Sequence, residues 1–597
     1  MRSVQTQRGR ATEFDTFQAG TMTVVLSNLD RRFDPNYAAG PYFGNLLPMK
    51  RIRLKGTYAG VTYPIWCGYV DDWPQQYDIT GDATVALHCT DGFKVLNNAT
   101  IPGSYWEWLV RNNTFGAPAG WWRLGEQEGN TLTDSIGTND GSYIPGTTAN
   151  TKTGLIAFSN DHAIAFDGVG EYAIFAPPVT TFPYSVGFSF QITGTPKWMY
   201  YHSSTGSPSF SIATTGGQII AQQEADNSNL AQSRTTTATY NDGLTHHLLV
   251  VWNSVAAPPS IYIDGVAPAS TTVSVGNTVF PNGYVYLAVT PGSVATFAAV
   301  TLDELFIYPV DVSAIAPDLY NAAVGTSFTN ERAQHSIPII LNMVGWPVAD
   351  ETIDSDITST GYAWLDAVWP GPHPALGVIQ TLADTDNGQF YMGADGTATY
   401  RSGNYRYVTT TSNTSQATFG DLPGIELPYS VIATDGGALF LRNRVRVSTS
   451  NFSTVEAKDT ASIAAYLEWT DDQTLATMSP TVDTLPYRRD LTNWKLAQFK
   501  DPIERVTQLQ VKPRANPVAL VAKTLSLGID NRITVNRRPQ NLGTALSYPV
   551  LIEGVNHSID VYGEWTVDWY LSSADTLPMW VWDDNVYGVC DFGRFGY

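Results

Sequence analysis

The sequence predicts a mainly β, multidomain protein: two small β-barrel domains, a mixed α+β middle part, and an antiparallel β-sandwich inserted among them. Three observations carry this expectation. First, 43% of the 597 residues are apolar and only 15% are charged, against the usual quarter charged. Thr, Ser, Asn and Gly fill the difference, and 50 Gly and 35 Pro punctuate the chain. Such a composition excludes a disordered or coiled-coil protein. Second, short alternating segments recur between turn-forming residues. Third, the charge is uneven. Between Leu124 and Asn330 three basic residues (Lys152, Lys197, Arg234) stand against 15 acidic ones, a charge of -12 that leaves -9 of the total -21 for the remainder. A step of this kind marks a domain set into a host loop. At roughly 150 residues per domain, the length predicts about four domains.

Before the step, residues 21–29 (TMTVVLSNL) alternate, and 51–54, 64–70 and 83–89 are further short strands. Asp34-Pro35, Ala39-Gly40-Pro41 and Asp71-Asp72 supply turns between them, and strands at this spacing read as a small barrel. After it, Ile337, Ile340, Leu341 and Val344 fall at i, i+3, i+4 and i+7, and Gly345-Trp346-Pro347 stops that helix. Leu376, Ile379 and Leu382 mark a second helix, residues 461–469 and 493–499 two more. Strands are expected at 389–392 and 398–401, then at 507–511, 548–553 and 564–571. The resulting domains are 1–104 (first barrel), 105–326 (inserted sandwich), 327–440 (mixed α+β) and 441–597 (second barrel with helices).

The net charge of -21 repels nucleic acid and anionic membrane. Three cysteines, Cys67, Cys89 and Cys590, make no disulfide framework and fit assembly in a reducing cytoplasm. No apolar run approaches the roughly 20 residues of a membrane span, and the polar, basic residues 1–10 read as neither leader nor anchor. The chain has no Gly-x-Ser-x-Gly, no His-Glu-x-x-His, no phosphate loop and no Cys-x-x-Cys, so no enzyme is expected. Asp303 and Glu304 are strand neighbours expected to point apart, whereas retaining glycoside hydrolysis needs two carboxyls about 5–5.5 Å apart. His246 and His247 are likewise adjacent, one expected in the core and the other at the surface. Trp106, Trp108, Trp121 and Trp122 sit at the insertion junction, where packing between domains is expected over sugar stacking. His557 reads as a structural strand residue.

Several phrases in the acidic segment form a set: Trp122-Arg123-Leu124-Gly125-Glu126, Ala165-Phe166-Asp167-Gly168, Thr245-His246-His247 leading through Trp252 to Ile261-Tyr262-Ile263-Asp264-Gly265, and Leu302-Asp303-Glu304-Leu305-Phe306. Their order over roughly 200 residues resembles the laminin-G-like, concanavalin-type jelly roll. The resemblance implies binding of carbohydrate or protein, sometimes with calcium at the rim. Asp167, Asp264 and Asp303 are the acidic positions within those motifs and the candidate calcium ligands. Each also has a structural reading, as a turn-capping, a hairpin and a strand-end Asp respectively, because calcium needs six to eight oxygens. No other cofactor is implied.

The flanks carry a second string: Arg8-Gly9-Arg10, Phe14-Asp15-Thr16-Phe17, Asn28-Leu29-Asp30-Arg31-Arg32-Phe33-Asp34-Pro35, Trp66-Cys67-Gly68-Tyr69-Val70-Asp71, Asn443-Arg444-Val445-Arg446 and Leu551-Ile552-Glu553-Gly554-Val555-Asn556-His557. It resembles the tail-hub, or tail-associated, minor tail proteins of long-tailed bacteriophages. That resemblance implies a structural virion protein of the distal tail tip, assembled in the host cytoplasm. Three subunits of two barrels each would form a pseudo-sixfold ring on the tail tube. Its implied partners are its own copies in a homotrimer, the distal tail ring, the tape-measure protein and DNA in transit. The jelly roll would then be an outward decoration for a host-surface glycan. Arg2, Arg8, Arg10, Arg31 and Arg32 either dock an acidic neighbour or lie at solvated strand ends. The alternatives from other classes are a receptor-recognition lectin and a glycan-degrading enzyme.

Overall fold

The computed structural model describes the chain apart from residues 102–103, 146–150, 158–160, 196–197, 204–207, 226–229, 291–295, 328–331, 355–372, 450–451, 477–484, 539–543, 575–578, 581–593 and 596–597. Cys590 lies outside the described residues; Cys67 and Cys89 are buried free thiols. The chain forms two compact units, one from Met1–Ile101 with most of the chain after Thr329, the other from Pro102–Phe328. Among the described residues no helix is long and apolar enough to cross a membrane.

The first unit opens with β1 (Ser3–Gly9), β2 (Thr21–Ser27), β3 (Arg51–Tyr58), β4 (Val61–Asp72), β5 (Gln75–Tyr77) and β6 (Ala83–Thr90). Met22 and Val24 of β2, and Val85, Leu87 and Cys89 of β6, are buried while their neighbours are not. This period-two burial is what the sequence alternation predicts.

The second unit follows. A helix, Tyr105–Asn112, is capped by Ser104, whose Oγ accepts from the Glu107 amide at 3.2 Å. The strands are β7 (Gly120–Trp122), β8 (Thr131–Leu132), β9 (Gly141–Ile144), β10 (Thr151–Thr153), β11 (His162–Asp167), β12 (Tyr172–Phe175), β13 (Tyr184–Gln191), β14 (Trp198–Ser203) and β15 (Ser209–Thr215). They continue with β16 (Gln218–Glu224), β17 (Leu230–Thr239), β18 (Thr245–Trp252), β19 (Ser260–Ile263), β20 (Ser270–Ser274), β21 (Tyr284–Leu287), β22 (Val289–Thr290), β23 (Thr296–Phe297) and β24 (Ala299–Tyr308), before a closing helix, Ala316–Val324. One sheet has seven strands in the order β10-β11-β24-β13-β18-β19, with β7 also on β24; the other has nine, β20-β17-β16-β15-β14-β21-β12-β9-β8. Trp122, Phe166, Phe188 and Trp252 meet Phe175, Tyr200, Phe210 and Val285 between them, each such burial contributing roughly 1.5–3 kcal/mol. The outer side of the seven-stranded sheet is covered as well. Trp106 and Leu109 of the first helix and Leu319 of the last pack on Leu249, Val251 and Phe306. Gly187 makes room there, since a Cβ at that position would stand 2.1 Å from the Phe306 ring.

The first unit resumes with β25 (Glu351–Ile353), β26 (Gln389–Met392), β27 (Ala398–Arg401), β28 (Thr418–Phe419), β29 (Val431–Asp435), β30 (Arg444–Thr449), β31 (Val455–Lys458) and β32 (Thr470–Leu475). It ends with β33 (Arg505–Val511), β34 (Arg532–Arg537), β35 (Leu546–Ile559) and β36 (Trp565–Ser573). The expected helices are present as Ala333–Met343, Ala375–Thr385, Thr460–Tyr466 and Leu485–Phe499. The two expected barrels are instead joined. Strands of both regions lie on one open path, β29-β33-β36-β35-β1-β2-β6-β4-β3, and no barrel closure occurs among the described residues. The joint is the antiparallel ladder of β1 with β35, from Val4↔Ile559 to Gly9↔Gly554. Composition and alternation locate strands but do not say which distant strand each will pair with, so the merger was not visible in the sequence.

Gly9 has φ +91, and a Cβ there would lie 2.2 Å from the Glu553 carbonyl oxygen. Gly60 has φ +81 with nothing within 4 Å. Gly9→Ala is therefore expected to lower stability by about 2–4 kcal/mol, and Gly60→Ala by about 1 kcal/mol. Thermal unfolding of the two variants side by side checks this; equal shifts would show that the ladder tolerates the methyl group.

Candidate functional site

The nine-stranded sheet has one side in the sandwich core, and its other side is partly exposed. Phe210 and Ile212 of β15, Val285 and Leu287 of β21, and Ala173 and Phe175 of β12 point into the core. Alternation therefore turns Ser209 and Ser211, Tyr284 and Tyr286, and Tyr172 and Ile174 outward. Register aligns these outward residues. Gln222 pairs with Ser211, Ser211 with Tyr201, Tyr201 with Tyr286, and Tyr286 with Ile174. A flanking row holds Ile220, Ala213 and Trp198, and Trp198 packs edge-on against Tyr201 at 5.6 Å. On the other flank Glu224 pairs with Ser209, whose Oγ donates to Glu224 Oε2 at 2.8 Å, and Ser203 pairs with Tyr284. Trp198, Tyr201, Tyr286 and Tyr172 are half-buried and Tyr284 is 53% exposed. The Ser211 hydroxyl is buried in the middle of this face and has no partner among the described residues. Aromatic rings thus stand beside the Gln222 amide and the Glu224 carboxylate on one partly exposed surface, with Ser203, Ser209, Ser211 and Ala213 buried between them. The available signal was the period-two run Tyr284-Val285-Tyr286-Leu287, which places rings where an outward face is ordinarily polar.

The three candidate calcium ligands are not brought together, and among the described residues no group of three His, Cys, Asp or Glu could hold a metal ion. Asp167 caps its own turn, its Oδ1 accepting from the amides of Val169 (2.7 Å) and Gly170 (3.2 Å). Asp264, at φ +52 in the turn that follows β19, accepts from the His247 amide at 3.0 Å and binds His246 Nδ1 at 2.8 Å. Asp303 is buried in β24, with Oδ2 on the Leu155 amide at 2.6 Å and Oδ1 unpartnered among the described residues.

Asp303 and Glu304 do not diverge as strand neighbours should. Glu304 has φ +55, the ladder with β13 shifts register between Gly187 and Ser189, and both residues are buried. Glu304 Oε2 accepts from Trp121 Nε1 at 2.6 Å, and Arg123 Nε lies 3.2 Å from Glu304 Oε1 and 2.7 Å from Asp161 Oδ2. Burial raises both carboxyls and Arg123 opposes it. With exposures of 1% and 0%, the pair offers a substrate no approach in this conformation.

Both His246 and His247 are buried, because β18 is covered on its two sides by core and helices. His247 binds Ser189 Oγ at 2.7 Å, and burial lowers it to about 4. The hydrogen bond to Asp264 raises His246. Trp106, Trp121 and Trp122 are buried within the second unit's own clusters and Trp108 packs at their margin. The Trp residues consolidate that unit. His557, lowered to about 3 by burial, accepts from Trp565 Nε1 at 3.3 Å within its sheet.

In the first unit an open polar cavity of about 550 Å³ is lined by Arg10, Glu13, Asp384, Gln389, Arg406 and Lys495 among others. Three of its cations are held by protein anions, Arg10 and Arg406 by Glu553 and Lys495 by Asp471, while Arg401 and Arg442 lie over the Tyr405 and Phe14 rings at 4.2 and 4.4 Å. The basic residues expected at a docking edge are likewise engaged. Arg2 pairs with Asp82, Arg31 with Asp34 and Arg32 with Asp30, while Arg8 is buried.

His202 lies in the sandwich core among Tyr184, Phe210 and Phe280, with neither ring nitrogen partnered among the described residues. Burial lowers it to about 3. An imidazole depressed in the folded state contributes stability above its unfolded value near 6.5, and that stability is lost as pH falls toward 3. At pH 5 the loss is about 2 kcal/mol. His202→Phe is expected to reduce the acid-induced fall in unfolding temperature between pH 6.5 and 4; an unchanged slope would refute the assignment.

Residues 167–314 match the family model described as the concanavalin A-like lectin/glucanases superfamily. No curated protein matches the chain. Among solved structures, a Trypanosoma rangeli sialidase in complex with 2,3-difluorosialic acid is 13% identical, with a TM-score of 0.27, over 46% of this chain and 45% of that one. The binding domain of botulinum neurotoxin serotype G is 11% identical, with a TM-score of 0.27, over 36% of this chain and 53% of that one. The chain thus spans about half the length of these structures. The inserted unit carries a concanavalin A-like, laminin-G-type jelly-roll domain.

Proposed function

We propose that the jelly roll is a non-catalytic carbohydrate-binding module and that its open nine-stranded face is the binding surface. The observation that carries this reading is the clustering of Trp198, Tyr201, Tyr284, Tyr286 and Tyr172 on one face beside Gln222, Glu224 and Ser209. Pyranose rings have apolar faces and hydroxyl edges, and amphipathic aromatics with a few placed polar groups suit both. The fold description shared with lectins agrees with it. Tyr201→Ala with Tyr286→Ala is expected to weaken polysaccharide retention in affinity electrophoresis at least about tenfold, at roughly 0.5–1.5 kcal/mol per ring beyond area burial. Unchanged retention with an unchanged unfolding temperature would remove this face from consideration.

A second reading concerns the host unit. We infer that it is a bacteriophage tail-tip hub, a homotrimer that presents the module outward to a host-surface glycan. Its support is the phrase order in the flanks. In this reading the distal tail ring, tape-measure protein and transiting DNA are neighbours rather than ligands. Native mass spectrometry of the purified chain, with imaging of assembled particles, is expected to give threefold copies at a tail tip; a single copy per particle would refute it.

A further inference from the structure

The open face also carries a charge pattern that restricts which glycan it accepts. Taking the glycan-binding reading above as its basis, we propose that this face recognises glycans without acidic groups and rejects uronates, sialylated chains and phosphate-bearing polymers by repulsion. Its central row runs across β16, β15, β14, β21 and β12, four strand spacings of about 4.8 Å, so it extends about 19 Å and accepts a chain rather than one sugar. Along the row the rings of Tyr201 and Tyr286 and the side chain of Ile174 lie toward one end and the Gln222 amide toward the other, with Glu224 beside it on the flank.

No described residue on the face supplies a cation. Of the three bases between Leu124 and Asn330, Lys152 is on β10 of the other sheet. Arg234 is turned to the sheet margin, where Nε donates to the Pro259 carbonyl at 2.6 Å and Nη1 to Ser270 Oγ at 3.1 Å. Lys197 lies outside the described residues. Glu224 stands in the polar part of the face with its Oε2 held by Ser209, and the segment as a whole carries 15 acids against three bases. A glycan carboxylate or phosphate laid on this face meets the flanking Glu224 carboxylate with no compensating cation among the described residues, and like-charge juxtaposition is an effective means of refusing a partner. A neutral chain meets the rings of Tyr201 and Tyr286 and the Gln222 amide.

The test uses the full chain and polymers matched except for charge: polygalacturonate against its methyl ester, and sialylated against desialylated glycan, with neutral glucans and galactans alongside. At 20 mM salt the neutral member of each pair is expected to be retained at least about tenfold more tightly. The gap should narrow at 300 mM, because added salt shortens the Debye length to below its value of about 10 Å at 0.1 M. Glu224→Gln is expected to lower the ratio of neutral to acidic retention at low salt, read within each matched pair. Equal retention of acidic and neutral members would overturn the charge rule and leave glycan binding intact. An undiminished gap in Glu224→Gln would move the rejection off this face and overturn the proposal. Failure of every polymer to bind would overturn the glycan reading itself.

Discussion

The first unit depends on one ladder, β1 against β35, which joins residues about as far apart as the chain allows. Backbone pairing of Val4 with Ile559 through Gly9 with Gly554 closes a very long loop, and closure entropy grows only slowly with such length. Next to the ladder sits Glu553, fully buried. Its carboxylate accepts from Arg10 Nε at 2.8 Å, Arg406 Nη1 at 2.6 Å and Ser572 Oγ at 2.6 Å. Burial alone would raise this carboxyl, but the two guanidiniums outweigh it and hold it well below the usual range. Breaking a buried pair of this kind costs about 3–5 kcal/mol because the surviving charges lose their partner. Arg10 comes from the first segment, Arg406 from the middle and Glu553 from the last. One side-chain cluster thus fixes the three parts that the backbone ladder alone would join in two.

In the second unit the controlling constraint is coverage. The seven-stranded sheet is buried on both sides, so its central strands have no face left for a ligand: seven of the eight residues of β13 and of β18 are buried. That is why His246, His247, Asp303 and Glu304, all chemically tempting, serve the interior. The nine-stranded sheet is covered on one side only. The outward positions of β14 and β21 include four aromatic rings, Trp198, Tyr201, Tyr284 and Tyr286, each of them partly exposed.

The jelly-roll phrases, the principal helices and most strands were legible because each depends on local pattern. Period-two burial of β6 and the helical spacing of Ile337, Ile340 and Leu341 follow from residues within one turn or one pleat. Two further features were not local. The merging of the flanking strands into a single sheet depends on partners more than 500 residues apart. The burial of Asp303 on the Leu155 amide and of Glu304 on Arg123 and Trp121 goes with a left-handed residue, Glu304, within a strand, where regular alternation would send the two side chains to opposite faces. The outward rings were written in the sequence as Tyr284 and Tyr286, but each is ordinary by itself. Only register with Tyr201 makes them a surface.

Charge divides the molecule in a way that follows from these constraints. All but three of the 34 basic residues lie outside Leu124–Asn330, and many in the host are matched: Arg444 with Glu456 and Glu468, Arg538 with Asp421 and Glu426, Lys500 with Asp459. Paired surface charges cancel within a Debye length and contribute little to stability. The inserted segment has too few cations for such matching, so its acids remain as an uncompensated field. A long-range field of one sign does little for a fold, but it acts on any charged polymer that approaches. The segment therefore combines an interior that shields its few buried ions with an exterior whose acids have few cations of their own to pair with.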